Sequence, residues 1–359
     1  MLKKIIREFL NFLIAHRKKI LILAASFVLG FILLSSVFLY VDIKGIGKVI
    51  FAFNIWKFLL YLSIPFFTLC LQTLRWSTIL KSYGFRVDFW QLLQYIFAGF
   101  GFSYLTPIAE LGGGPFKAYL LKKQRIKFRD GFVTVCIDDF IGIFMEALLA
   151  AIGILYLIIY IGLAKDFIWL IGIACALFIS LLIIAYLRLR HGKPIFSPLL
   201  NLVGARYFKK IRKIQKKVAD FETLFIAFFL EKKSALKRAF ILTIIMNIMG
   251  IGEVGFLLYL MGAFHGWANV FFARMVINAS NLFPVPAGLG VSEWGSAGLF
   301  EASQSGREIG LVFSLLFKAR SLFFSFLGLG IFSYYWMRNL VISQKITKFV
   351  KEKINGQIF

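Results

Sequence analysis

The chain has 359 residues, of which 60% are hydrophobic, and its formal net charge is +25. A soluble domain of this length could not hide that much apolar surface from water, so the composition excludes a soluble fold and predicts a multi-pass membrane protein. The basic residues lie almost wholly between apolar runs, where membrane topology places them, and this argues against a nucleic-acid partner.

The first apolar run extends from Ile20 to Val41 and is long enough to cross about 30 Å of hydrocarbon. A cleaved signal peptide is the alternative, but the run is longer than a usual signal core and no small-residue cleavage motif follows. A second predicted span, from about Ile55 to Leu74, ends at a basic stretch that begins with Arg75. Because basic residues mark the inner side, we expect both termini in the cytoplasm, in the cell membrane of a bacterium or archaeon.

The next apolar stretch, from Phe89 to Pro107, is followed by a glycine run and has basic clusters on both sides. A full span would place one of those clusters outside, whereas a re-entrant hairpin over about residues 89–117, entered from the cytoplasm, agrees with the charge pattern. Proline and glycine supply the break that a hairpin needs. The predicted break residues are Pro107, Gly112, Gly113 and Gly114.

Two further spans are predicted, from about Val133 to Leu163 and from Phe167 to Leu187. The loop that follows, residues 188–238, is the most basic part of the chain and is amphipathic around Arg206 to Phe221. This pattern predicts a helix lying at the inner membrane surface, either as a plain connector or as a regulatory site for anionic lipids.

A span from Phe240 to Met261 precedes a second interrupted stretch, which predicts a re-entrant hairpin over about residues 268–300, entered from outside. Its predicted break residues are Pro284, Pro286, Gly288 and Gly290. A last span from about Leu311 to Trp336 ends in basic residues, and residues 341–359 form the predicted cytoplasmic tail.

This order predicts an all-α membrane protein with about six full transmembrane helices and two re-entrant hairpins, in one membrane domain. Residues 1–164 read as span, span, hairpin and span, and residues 165–340 repeat that order in the opposite orientation. Inverted repeats of this kind occur in transporters, where broken helices of both halves build the substrate site near the midplane.

Charged residues inside predicted spans are costly and need a partner, water or a function. Asp139 and Glu146 are seven residues apart on one helix face, and Lys318 and Arg320 lie in the corresponding span of the second half. Opposite charges at matching positions predict either direct pairing or a shared polar cavity. Asp138 is a weaker candidate, because it is expected at the cytoplasmic interface.

Two residues near the second break are candidates for binding an anionic headgroup. Arg274 could clamp a phosphate, or could be a structural partner of Glu253 or Glu293. Glu293 could face the site or could cap the helix that starts after the break. The glycines of the first break could cradle a phosphate, although a tight turn is the commoner role of such a run.

No motif supports a catalytic or metal centre. Cys70, Cys136 and Cys175 lie far apart inside apolar runs, and the three histidines are scattered at the edges of runs. The glycine-rich segments lack the Gly-Lys-Ser/Thr of a phosphate-binding loop. We therefore expect no catalytic residue, metal or cofactor, and transport would be driven by an ion gradient or by the lipid gradient.

Four local motifs resemble the flippase-like membrane domain of lysylphosphatidylglycerol synthases. They are Leu74-Arg75-Trp76 followed by Leu80 and Gly84, the stretch from Thr106-Pro107 through Gly112-Gly113-Gly114-Pro115-Phe116-Lys117 to Leu121, the acidic start of the next span, and Pro286-Ala287-Gly288-Leu289-Gly290-Val291-Ser292-Glu293. The resemblance implies movement of lipids or lipid-linked intermediates between leaflets. It also implies a stand-alone member, since only a short segment follows the last span.

The chain departs from the family pattern at two places. Gly114 stands where the family often has an acid, and Glu110 is the candidate replacement. Asp139 follows Asp138 where the family commonly has an arginine, so a salt bridge made by that arginine must be absent or rebuilt. Both departures bear on substrate identity more than on the fold.

These observations predict a lipid flippase or transporter for an anionic or glycosylated headgroup, with membrane phospholipids or lipid-linked intermediates as its partners. The predicted headgroup contacts and balancing acids are Lys117, Arg274, Glu293, Lys318, Arg320, Asp139 and Glu146. One alternative is a membrane-embedded transferase that acts on a lipid-linked donor and uses Asp138 and Asp139 as metal ligands or base. Another is a non-transporting scaffold of a lipid-synthesis complex, with a lipid-synthesis enzyme as partner.

Overall fold

The computed structural model describes residues 54–104, 113–160, 183–195, 209–280 and 285–355, with scattered residues in 28–39 and 173–198. Within these ranges the regular structure is helical and contains no strand. The principal helices are α1 (Ile55–Ser82), α2 (Phe89–Tyr104), α3 (Gly113–Leu121), α4 (Phe128–Tyr160), α5 (Lys209–Glu231), α6 (Lys233–Leu260), α7 (Trp267–Ser280), α8 (Val291–Ala302) and α9 (Arg307–Asn355).

Three helices in the described part are long and apolar enough to cross a membrane, namely α1, α6 and the Arg307–Tyr334 part of α9. Their length of 28 residues exceeds the roughly 20 residues that a bilayer core requires. The predicted spans 20–41 and 167–187 fall largely outside the described residues. The fold is therefore an all-helical membrane fold, and the total of six spans and two re-entrant hairpins stays a prediction.

Two helix pairs correspond to the predicted hairpins. Helix α2 packs against its second arm α3 and against α1 and α9, while α7 packs against its second arm α8 and against α6 and α4. The second arms pack in turn against the long helices that follow them, α3 on α4 and α8 on α9. Each helix pair thus packs between helices of both halves of the chain.

Close packing of α2 against α9 depends on glycine. A Cβ atom on Gly328 would lie 2.0 Å from the carbonyl oxygen of Phe97, and one on Gly101 would lie 2.7 Å from that of Ser325. Contacts this short are not possible for real side chains, so only glycine permits this backbone approach.

Residues 285–290 connect α7 to α8 at the position of the second predicted break. A 3-10 turn at Pro286–Gly288 follows α7, and α8 begins at Val291. Gly288 and Gly290 have φ values of 55° and 79°, which favour glycine, and Ala287 also adopts a positive φ. Pro284 lies outside the described residues.

The first break differs from its prediction. Gly113 and Gly114 form the first turn of α3, so they are helical and do not themselves make the break. Gly113 is needed for another reason, because a Cβ there would lie 2.2 Å from the carbonyl oxygen of Gly99 on the facing arm. Pro107, Glu110 and Gly112 fall outside the described residues.

Two further expectations were wrong in extent. Helix α1 does not end near Leu74 but continues to Ser82, because Arg75 is buried inside the protein and does not mark the membrane surface. The amphipathic segment of the basic loop forms α5, which extends beyond Phe221 to Glu231. Its second half packs Phe225 and Phe228 into a buried cluster with residues of α4, so that half belongs to the core.

Candidate functional site

A central cavity of about 480 Å³ lies between the helix pairs and the long helices. It is lined from α1, α2, α3, α4, α6, α7, α8 and α9, and its lining is rich in charged side chains for a membrane-embedded space. The charged lining residues are Arg75, Lys117, Asp139, Glu146, Glu253, Arg274, Lys318 and Arg320.

Lys117 reaches the cavity from the second turn of α3. Its Nζ atom donates to Oδ1 of Asp139 on α4 at 3.2 Å and lies 5.8 Å from the centre of the Trp76 ring. The Lys117 side chain is 10% exposed, whereas that of Asp139 is 33% exposed. The lysine is thus held between a partly hydrated carboxylate and an aromatic face.

Lys318 is held more firmly, from α9. Its Nζ atom lies 2.6 Å from Oε1 of Glu293, which is fully buried, and donates to the carbonyl oxygen of Gly288 at 3.1 Å. Glu293 also accepts a 2.7 Å hydrogen bond from the backbone amide of Gly290, the residue that caps α8. The Glu293 carboxylate therefore caps α8 and also pairs with Lys318 beside the cavity.

Arg320 and Glu253 connect α9 to α6. The Nη2 and Nε atoms of Arg320 lie 2.6 and 2.7 Å from Oε1 of Glu253, and the Tyr61 hydroxyl donates to the same oxygen at 2.9 Å. The guanidinium also lies over the Phe317 ring, 4.2 Å from its centre. Tyr61 and Glu253 are buried, so this is a satisfied internal network.

A second buried pair joins α1 to α4. The Nε atom of Arg75 donates to Oδ1 of Asp138 at 2.7 Å, and its Nη1 atom donates to the Thr243 hydroxyl on α6 at 3.0 Å. Both side chains of the pair are at most 4% exposed. Asp138 is therefore an internal ion-pair partner, and the expectation that it lies at the depth of the cytoplasmic interface stays a prediction.

Two charged lining residues have no ion pair or hydrogen bond to any other residue in the described part of the chain. They are Arg274 on α7 and Glu146 on α4. The Arg274 guanidinium packs on α6 at Gly250, where an added Cβ would lie 3.0 Å from its Nη2 atom. The suggested partners of Arg274, Glu253 and Glu293, are already bound to Arg320 and Lys318.

Residues 21–328 match the family model described as the lysylphosphatidylglycerol synthase TM region. The chain belongs to this family. It is also similar to a UPF0104 membrane protein of the archaeon Methanothermobacter thermautotrophicus, with 27% identity over 167 residues. That match covers 45% of this chain and 48% of the relative, so it spans about half of the relative's length. The resemblance drawn from the sequence motifs is thus confirmed.

In this family member the predicted site residues lie together. Lys117, Asp139, Glu146, Arg274, Lys318 and Arg320 line the one cavity, and Glu293 supports it through Lys318. Direct pairing between the acids of α4 and the cations of α9 was wrong, because Asp139, Lys318 and Arg320 each have another partner. The other alternative, a shared polar cavity, describes what the structure shows.

The departures from the family pattern also have structural counterparts. Lys117 obtains its acid from Asp139 on the next long helix, and Asp138 obtains a cation from Arg75 on α1. From the sequence, Arg75 was expected to mark the inner end of the second span and to belong to a family motif, and Tyr61 and Thr243 had no predicted role. Arg75 could have been found, because it is an ionisable residue within a long apolar segment.

The use of Asp138 and Asp139 as metal ligands has no geometric support here, because each accepts a hydrogen bond from a cationic side chain. Within the described residues, no group of three or more histidine, cysteine or acidic side chains could hold a metal ion.

Proposed function

We propose that this protein moves lipids with an anionic or glycosylated headgroup between the leaflets of the cell membrane. Its family membership indicates a role related to membrane lipids. The polar headgroup would occupy the central cavity, while the acyl chains would stay against the apolar outer faces of the helices. A cavity of about 480 Å³ is within the range of roughly 300–1,000 Å³ that is typical of small-molecule sites.

Arg274 is the observation that carries this proposal. A guanidinium inside a membrane-embedded protein is costly without a counter-charge, and Arg274 has none among the described residues. Arginine presents parallel N–H donors that match a phosphate, and a lipid phosphate would supply the missing charge. The other cavity cations already have protein partners, so Arg274 is the first contact that we assign to the headgroup.

The packing pattern supports an inverted-repeat transporter. Corresponding helices in the two halves have corresponding neighbours, and residues of both hairpin-like helix pairs line the same cavity. In such architectures the halves move relative to each other and expose the central site to each side in turn. Placement of both termini in the cytoplasm belongs to this proposal and follows from the basic flanks of the apolar runs.

Leaflet exchange in proteoliposomes tests the function. The purified protein is reconstituted with a small fraction of headgroup-labelled fluorescent lipid, and dithionite quenching reports how fast inner-leaflet probe becomes accessible. We expect acceleration over protein-free vesicles for phosphatidylglycerol or another phosphate-bearing lipid. The absence of acceleration for phosphatidylglycerol, phosphatidylethanolamine and polyprenyl phosphate probes would overturn the proposal.

A matched pair of arginine variants tests the site. Arg274→Gln should reduce the exchange rate at least tenfold, since loss of one charge-assisted phosphate contact of about 1.5–3 kcal/mol corresponds to a factor of ten or more. Arg307→Gln is the control, because Arg307 is at the exposed start of α9 and is not part of the cavity lining. Equal rates for the two variants would contradict the assignment of Arg274.

A further inference from the structure

Two ion pairs beside the cavity occupy matching positions in the two halves but have opposite polarity. In the first, α3 supplies the cation Lys117 and α4 the acid Asp139; in the second, α8 supplies the acid Glu293 and α9 the cation Lys318. Asp139 lies eleven residues after the first residue of α4, and Lys318 lies eleven residues after the first residue of α9. Each pair therefore ties the second arm of a helix pair to the long helix behind it.

The same reversal of charge occurs in a second set of ion pairs, Arg75–Asp138 and Glu253–Arg320. Arg75 lies twenty residues into α1 and Glu253 lies twenty residues into α6, so a cation and an acid occupy matching positions. Their partners, Asp138 on α4 and Arg320 on α9, are reversed in the same sense. In both sets of pairs, the acid is on α4 in the first half and the cation is on α9 in the second half, and both helices line the cavity.

The Lys117 and Lys318 pairs differ in how firmly they are held. The Glu293–Lys318 pair has a 2.6 Å contact, an unexposed carboxylate, and additional bonds to the backbone of Gly288 and Gly290. The Lys117–Asp139 pair is longer at 3.2 Å, and one third of the Asp139 side chain is exposed. Separating a partly hydrated pair costs little free energy, whereas breaking a buried pair that also caps a helix costs much more.

Lys117 also has a second support that does not depend on Asp139. Its ammonium group lies 5.8 Å from the centre of the Trp76 ring, and Trp76 is itself buried. This aromatic face would keep the ammonium group in place while its anionic partner changes. Lys117 lines the cavity, so a phosphate within the cavity can approach it.

We infer that a lipid phosphate replaces Asp139 as the partner of Lys117, while the Glu293–Lys318 pair stays closed in this conformation. The inference rests on the proposed lipid transport and adds Lys117 to Arg274 as a contact of the headgroup phosphate. Asp139 is then a competitor of the headgroup: the exchange swaps one anion for another at Lys117, and the released carboxylate stays hydrated in the cavity. The affinity for a phosphate-bearing lipid is accordingly limited by Asp139.

Neutralising each acid separates this exchange from a structural role. Binding of the short-chain probe dihexanoyl-phosphatidylglycerol to the full-length protein in detergent is measured by isothermal titration calorimetry, with dihexanoylglycerol as the phosphate-free control. Asp139→Asn should bind the phosphate-bearing probe about fivefold more tightly, as expected from removal of one partly exposed competing pair. Glu293→Gln should not bind it more tightly, and its melting temperature should fall because the Lys318 ammonium group loses its buried counter-charge.

Lys117→Gln completes the test. It should remove the preference for the phosphate-bearing probe, and Asp139→Asn should then have no effect in the Lys117→Gln background. Asp139→Ser provides a second neutral variant if Asp139→Asn does not fold, as judged by its melting temperature.

Unchanged or weaker binding by the folded Asp139 variants, or equal tightening by Glu293→Gln, would overturn the replacement of Asp139 by phosphate. If wild-type protein still accelerates the movement of lipid between leaflets in that case, only this replacement is refuted. If wild-type protein does not accelerate it, the proposed function fails.

Discussion

Glu253 on α6 and Arg320 on α9 form a 2.6 Å ion pair whose shared carboxylate oxygen also accepts the Tyr61 hydroxyl from α1. One oxygen atom thus connects three helices that are long and apolar enough to span the membrane. The glutamate side chain is only 2% exposed, so removing a partner leaves a buried polar group with an unmade hydrogen bond.

The first prediction concerns this network. Glu253→Gln should lower stability by about 3–5 kcal/mol, because it leaves a buried guanidinium without its counter-charge. Tyr61→Phe removes one hydrogen bond to a charged group and should cost less, about 1.5–3 kcal/mol. Thermal unfolding in detergent measures both. Glu301→Gln, in an exposed pair with Arg307, is the control and should leave the melting temperature unchanged.

The second prediction concerns Arg75, which uses two nitrogen atoms for two partners. Arg75→Lys should lower stability by about 1–3 kcal/mol, since an ammonium group cannot reproduce the bonds to Asp138 and Thr243 in the same geometry. Arg129→Lys is the matched control. Arg129 is exposed, and within the described residues its side chain bonds only the neighbouring Asp130. Similar melting temperatures for the two variants would contradict a specific role of the guanidinium.

The third prediction uses two glycines of α6. Gly250→Ala should slow leaflet exchange several-fold, because the new methyl group would lie about 3.0 Å from the Arg274 guanidinium and displace it from its position in the cavity. Gly252→Ala has open space around it and should leave exchange unchanged. It should also raise stability by about 0.5–1 kcal/mol, the usual gain of alanine over glycine in a helix. Equal exchange rates would show that the position of Arg274 does not matter.

The fourth prediction concerns the contact between α2 and α9. Gly328→Ala should lower stability by at least about 1–3 kcal/mol, since its Cβ would lie 2.0 Å from the carbonyl oxygen of Phe97 and force the helices apart. Gly330→Ala, on the same helix with nothing within 4 Å of the added atom, should be neutral or slightly stabilising. Melting temperatures of the two variants decide the matter, and a stable Gly328→Ala protein would refute the close approach.

Much of the fold followed from the sequence because its signals are local. The long apolar runs predicted α1, α4, α6 and α9, and the Pro286 to Gly290 segment predicted the second break. The predicted end of α1 was wrong because Arg75 was taken as the inner end of the span. Arg75 lies within α1 because Asp138 and Thr243 satisfy it, and that support comes from other helices.

Composition and the length of the apolar runs by themselves determined that this chain is a helical membrane protein, and the motifs determined its family, since both depend on residues close together in the chain. They also selected most of the charged residues that line the cavity, because any charge within an apolar run is exceptional, but Arg75 and Glu253 were not among the predicted contacts. Only the tertiary structure decided which charges pair. The partners Glu253 and Arg320 are 67 residues apart, and Arg75 and Asp138 are 63 apart. Their contact depends on how each helix is rotated against its neighbours. That rotation is set by the packing of the helices, where glycines allow the close approach.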